Sequence, residues 1–116
     1  CHTCRDANEL KYGEDLVNSL DIDPLIGEFV RDKLKYYPTT TREKSPKMGR
    51  ITNLLSNGTI ANDLVLPPLN PKTDRLMVCG SIGLNNDIKA ICEDVGMREG
   101  SNSSPSHYVV EKAFVG

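Results

Sequence analysis

Apolar positions change their spacing several times along this 116-residue chain, and each change marks an element. Residues 1–4 read as the tail of a strand. Asp6 and Glu9 stand three apart, as in a capping box. Leu10, Leu16, Val17 and Leu20 then recur near helical spacing, which predicts a helix through much of residues 6–20, weakened at Gly13, with two shorter helices as the alternative. Asp23-Pro24 is a second start signal, a capping side chain followed by proline at the first helical position. It predicts a short helix over residues 24–31, with Leu25, Ile26, Phe29 and Val30 facing inward. Residues 33–38 carry aromatics and partial alternation and read as a strand; residues 39–43 are its polar outflow and 44–47 a loop. Ile51, Leu54 and Leu55 predict a helix over 50–57, stopped by Gly58. Another short helix is expected within 59–66, then an extended proline-rich connector over 67–71. Residues 76–79 form a continuous apolar strand of the type buried on both faces of a parallel sheet. Asn85 is expected to cap a helix in which Ile88, Ile91, Cys92 and Val95 share one face and which Gly96 ends. A polar loop over 101–106 leads to a last strand over 107–114.

Strands alternate with helices. The expected architecture is therefore α/β, a doubly wound parallel sheet with helices on both faces. In such sheets ligands bind beyond the carboxyl ends of the strands. The residues there are Arg5 after the first strand, Thr41 and Arg42 after the second, Cys79, Gly80 and Ser81 after the third, and Ala113 and Phe114 at the end of the fourth. Arg50 opens the helix after the second strand and belongs to the same edge.

Composition narrows the function. Hydrophobic residues make up 38% and charged residues 26%, near globular averages. Fourteen basic residues against sixteen acidic ones, a formal charge of -2, argue against general nucleic-acid binding, which needs a broad basic face. No apolar run reaches the length of a membrane span, and no signal peptide is expected. The chain does not begin with Met and opens inside a strand, so a fragment of a longer protein, lacking the domain's first strand, is expected. Cys1 and Cys4 form a C-x-x-C, but Cys79 and Cys92 make no second close pair of the kind a structural zinc site uses. The expectation is four reduced thiols in a cytoplasmic protein, with no metal site.

Three arginines on one edge of a nearly neutral domain suggest a local anion site. Arginine grips phosphate through paired hydrogen bonds that lysine cannot copy, and a helix start at Arg50 adds free N–H groups and a favourable dipole. The alternative is three solvated arginines. The glycine-rich dinucleotide fingerprint is absent. Gly80 permits a tight strand-to-helix turn; it would also let a planar ring lie against the backbone with the Cys79 thiol beside it. No histidine is placed by sequence to activate Cys79 as a nucleophile, and His107, at the start of a strand, is expected to be structural.

The segments "HTCRDANELKYGEDLV", "DPLIGEFV", "TTTRE", "GRI", "MVCGS" and "SPSHYVVEKAFVG" together, in this order, resemble the NADP-binding domain of bacterial plant-type ferredoxin (flavodoxin)–NADP reductases. The resemblance implies an oxidoreductase whose FAD-binding barrel lies outside this chain, residues 1–116 being part of the NADP-binding domain. It implies NADP and FAD as cofactors and electron exchange with ferredoxin or flavodoxin. Arg5 is then expected near the adenosine end or the pyrophosphate, and Arg42 and Arg50 at the 2′-phosphate, with Thr41 nearby. Cys79 and Gly80 are expected beside the nicotinamide as the catalytic pair, followed by Ser81. Ala113 and Phe114 are expected at the flavin, with Glu111 a neighbour. As a fragment the chain is expected to be inactive alone. Rival readings are an NADH-using flavin reductase component of an oxygenase system, a non-catalytic nucleotide-binding module, and a zinc or thiol-switch protein built on Cys1 and Cys4.

Overall fold

The computed structural model describes residues 1–42, 44 and 48–112. Its fold is mixed α/β with short parallel strand pairs, and it divides into two units, Cys1–Ile60 and Ala61–Gly116.

In the first unit, strand β1 (His2–Cys4) pairs in parallel with β2 (Pro38–Thr40), Thr3 opposite Thr39. The chain leaves β1 through a 3-10 turn, Ala7–Leu10, and continues into helix α1, Lys11–Asp21. The capping pair read from the sequence is formed: the Asp6 N–H donates to Glu9 Oε1 at 3.2 Å. Gly13 has a packing reason. A Cβ there would stand 2.6 Å from both His2 Nδ1 and the Tyr36 hydroxyl, and those two atoms are themselves hydrogen-bonded at 2.8 Å. The glycine lets α1 lie down on this pair. The core of the unit holds Leu10, Tyr37, Ile51 and Ile60, with Thr39 and Thr40 fully buried.

Two expectations in this unit are corrected. The second strand is Pro38–Thr40, not residues 33–38. The N–H groups of Lys33 and Leu34 are spent on the Val30 carbonyl in a turn, and the tyrosines serve other ends: Tyr37 is buried and Tyr36 meets His2. Proline opens the strand, where its missing N–H costs no ladder bond. The helix expected over 24–31 shrinks to α2, Gly27–Val30, and three of its four apolar side chains do not face inward: Leu25 is 81% and Phe29 67% exposed, and Ile26 is exposed too, while Val30 is half-buried. Asp23 Oδ1 takes the N–H groups of Leu25 and Ile26 at 2.8 and 3.1 Å in a turn. The residue that turns inward is Gly27, whose absent Cβ would stand 2.5 Å from the Asp21 carbonyl oxygen at the end of α1. Helix α3 is Ile51–Ser56, followed by Gly58 at φ +82°, and α4 is Thr59–Leu64.

In the second unit, β3 (Leu76–Gly80) pairs in parallel with β4 (Tyr108–Lys112), Leu76 opposite Tyr108 and Cys79 opposite Glu111. Helix α5, Ile82–Asp94, connects them, and Gly96 at φ +89° ends its final turn. Ile88 and Cys92 from α5 pack with Met97 and Tyr108 as the buried apolar set. His107 is structural, its Nδ1 accepting the Arg98 N–H at 2.8 Å. Two further expectations are corrected. Strand β3 is not buried on both faces: Met77 is 87% exposed and Cys79 is exposed, so burial alternates along it. Asn85 does not cap α5. Ser81 does, its hydroxyl accepting the Leu84 N–H at 3.3 Å, while Asn85 is buried in the first turn. No helix among the described residues is long and apolar enough to cross a membrane.

Candidate functional site

Two clusters of site residues take shape, one in each unit. In the first, the β1–β2 ladder runs past its formal end. The Thr41 N–H donates to the Cys4 carbonyl and the Arg42 N–H to the Arg5 carbonyl, both at 3.0 Å. Arg5 and Arg42 are thereby set side by side at the carboxyl edge of the pair. Gly49 comes to the same edge, its N–H donating to the Thr40 carbonyl at 3.1 Å, and Arg50 follows it as the residue preceding α3. All three arginines and Thr41 are exposed, and none of the arginines forms an ion pair among the described residues. Three exposed guanidinium groups with no carboxylate partner among the described residues are what an anionic ligand needs. Because α3 has only six residues, the attraction at Arg50 rests on its side chain more than on a helix dipole.

In the second unit, Cys79, Gly80 and Ser81 stand where β3 gives way to α5. Gly80 is buried, and the Leu84 side chain occupies the place a Cβ on residue 80 would take. Glycine there permits the close packing of helix on strand, a reason distinct from the tight turn read from the sequence. The open face at this point belongs to Cys79. Its register partner Glu111 is also exposed; directly paired residues of parallel strands project to the same side, so thiol and carboxylate are neighbours. Ser81 offers the cap bond first. Ala113 and Phe114 lie outside the described residues.

The sequence reading missed a third group. His2 Nε2 lies 3.4 Å from Cys4 Sγ, so imidazole, thiol and the Tyr36 phenol form a chain against α1. Only the i, i+2 spacing of His2 and Cys4 on a strand could have signalled it. Burial, and then Glu9, push the Cys4 thiol up. Burial, then Glu14 and Cys4, push the Tyr36 hydroxyl up. Cys1 and Cys4 are both free. In an extended chain, residues three apart are separated by about 10 Å and point to opposite faces, too far for a disulfide. Among the described residues no three His, Cys, Asp or Glu side chains gather as a metal site.

No family model matches the chain. Curated relatives do. It is 57% identical over 115 residues to a flavodoxin/ferredoxin–NADP reductase of Rhodobacter capsulatus, covering 99% of this chain and 43% of that protein. It is 50% identical over 115 residues to ferredoxin–NADP reductase A of Sorangium cellulosum, covering 99% and 41%. Among solved structures, a ferredoxin NADP+ reductase from Neisseria gonorrhoeae with bound FAD and NADP superposes with a TM-score of 0.77 at 25% identity, covering 97% of this chain and 43% of that one. The chain thus spans less than half the length of the relatives it matches. Over nearly its whole length it is homologous to one part of the bacterial flavodoxin/ferredoxin–NADP reductases.

Proposed function

We propose that this chain is the NADP(H)-binding part of a flavoenzyme that passes electrons between NADPH and ferredoxin or flavodoxin by way of FAD, in the cytoplasm. The doubly wound arrangement of the nucleotide-binding domain and a separate FAD-binding domain belong to the same proposal, and residues 1–116 alone would not catalyse. The homology to reductases supports it, as does the solved relative holding both cofactors.

The structural observation that carries the proposal is the bond from the Arg42 N–H to the Arg5 carbonyl, which places two exposed arginines on one strand edge. Arg42 and Arg50 would hold the 2′-phosphate, with Thr41 beside them, and Arg5 the pyrophosphate or adenosine end. Arg42 and Arg50 are the residues that would separate NADP from NAD. Cys79, with Gly80 and Ser81 behind it, would flank the nicotinamide, and Glu111 would face the same space. Ala113 and Phe114 would lie at the flavin. When bound, the nicotinamide and the flavin supply the hydride chemistry; the chain supplies position and charge. Cys79 needs no activation for that role.

The test is a comparison of steady-state rates with NADPH and NADH in the full-length, FAD-loaded protein, with ferredoxin or flavodoxin as acceptor. A strong preference for NADPH is expected. Equal use of NADH would make this the NADH-using flavin reductase and would overturn the phosphate roles of Arg42 and Arg50. A protein without flavin absorbance even after FAD is added would overturn the reductase reading itself.

A further inference from the structure

Cys79 and Glu111 are neighbours only if the last residues of β3 and β4 stay together, and one side chain bridges those ends. Asn85, in the first turn of α5, is 4% exposed. Its Nδ2 donates to the Gly80 carbonyl at 3.2 Å and to the Glu111 carbonyl at 3.0 Å. Both partners are acceptors, so the amide must present its NH2 to the strands and its orientation is fixed. The last pair among the described residues is Gly80–Lys112, and the amide fastens the two strands at that end.

This arrangement has a cost that simple packing would avoid. Asn85 Oδ1 is buried and has no hydrogen-bond partner among the described residues. Asparagine is also a poor residue inside a helix, because its side chain competes with the backbone. An apolar residue would cover the strand more cheaply, but it would lose the two amide bonds that reach one strand end each. The amide therefore serves geometry at the expense of stability.

We infer that Asn85 is a positioning residue for hydride transfer: its amide sets the spacing of the Cys79 end of β3 and the Glu111 end of β4, and so the shape of the nicotinamide face. The inference rests on the reductase reading above. Hydride transfer is sensitive to such placement, since a shift of about 1 Å can cost about a hundredfold in rate. Binding of the distant phosphate is not expected to feel it.

Two variants of the full-length, FAD-loaded protein test this, with Asn86→Ala, at an exposed position, as control. Asn85→Leu removes both donors at similar volume. Asn85→Gln keeps both donors but moves them outward by one methylene. The readouts are the rate constant for flavin reduction by NADPH in a stopped-flow instrument, the KM for NADPH, and thermal unfolding. We expect flavin reduction to fall about tenfold or more in Asn85→Leu and severalfold in Asn85→Gln, with KM within about threefold of the parent in both. The control should match the parent. If Asn85→Leu does not fold, Asn85→Gln decides. Folded variants that reduce flavin at the parent rate would overturn the inference and leave the reductase reading intact. A fall in rate matched by an equal rise in KM would also overturn it. A parent protein that fails to reduce flavin with NADPH would bring down the reductase reading, and this inference with it.

Discussion

Arg42 is tied to Arg5 through the backbone: the Arg42 N–H donates to the Arg5 carbonyl at 3.0 Å, just beyond the last regular pair of β1 and β2. Two arginines 37 positions apart in sequence are adjacent because a parallel ladder has run on past its end, and neither needs an acidic neighbour to stay there.

The first prediction follows from that edge. If Arg42 and Arg50 hold the 2′-phosphate as proposed, replacing either by Ala would remove charged hydrogen bonds, each worth roughly 1.5–3 kcal/mol. In the full-length protein kcat/KM for NADPH should fall by about tenfold to a hundredfold per arginine, and kcat/KM for NADH should stay near its starting value. Steady-state kinetics with both nucleotides is the measurement. A parallel fall with NADH would mean that these side chains support the fold and not the phosphate.

Gly80 and Leu84 compete for one volume. Gly80→Ala should destabilise the protein by about 1–3 kcal/mol, because a methyl group is forced into an occupied space. Leu84 is half-buried and has room to move outward, so adding Leu84→Ala should recover part of the loss. A double-mutant cycle by denaturant unfolding reads the coupling. Strict additivity would show that the glycine is there for another reason.

Val65 lies just past the end of α4 with φ +56°. The Leu66 N–H donates to the Ala61 carbonyl at 2.8 Å and the Val65 N–H to the Asn62 carbonyl at 3.2 Å, the paired bonds of a Schellman stop. Glycine is the natural occupant of that position, and a left-handed β-branched residue costs about 1–2 kcal/mol. The Val65 side chain is 86% exposed and gives little back through burial. Val65→Gly should therefore raise the Tm, by a few degrees for a gain of about 1 kcal/mol. A lower Tm would locate a contact for this side chain that outweighs its backbone strain.

The four thiols should separate by accessibility. Cys1 and Cys79 are exposed and should react first with a thiol reagent at neutral pH. Cys4 is half-buried, and burial followed by Glu9 holds its thiol protonated, so it should react slowly. Cys92 is wholly buried and its thiol is pushed up by burial and then by Glu93; it should react only on unfolding. The nucleophile is the thiolate, so a raised pKa slows labelling at any pH below it. In the FAD-loaded protein, added NADP should protect Cys79 selectively; labelling followed by peptide mapping reads each site. Unchanged labelling of Cys79 at saturating NADP would remove it from the nicotinamide face.

What the sequence alone determined was local. The Asp6–Glu9 capping pair, the stops at Gly58 and Gly96, helices α3 and α5, and arginines beyond the strand ends all follow from residues within a turn or two of each other. Capping, left-handed glycine and apolar period act over that range and need no distant partner. Tertiary structure decided whatever depends on a partner far along the chain. The aromatic run at 33–38 resembles a strand until Tyr36 is seen to bond His2, 34 positions away. The apolar face at 25–29 resembles core until Gly27 is seen to rest on the Asp21 carbonyl. Asn85 resembles a cap until its amide reaches Glu111, 26 positions on. A side chain's preference is a property of the residue; the partner that satisfies it is chosen by how strands and helices come to lie on one another.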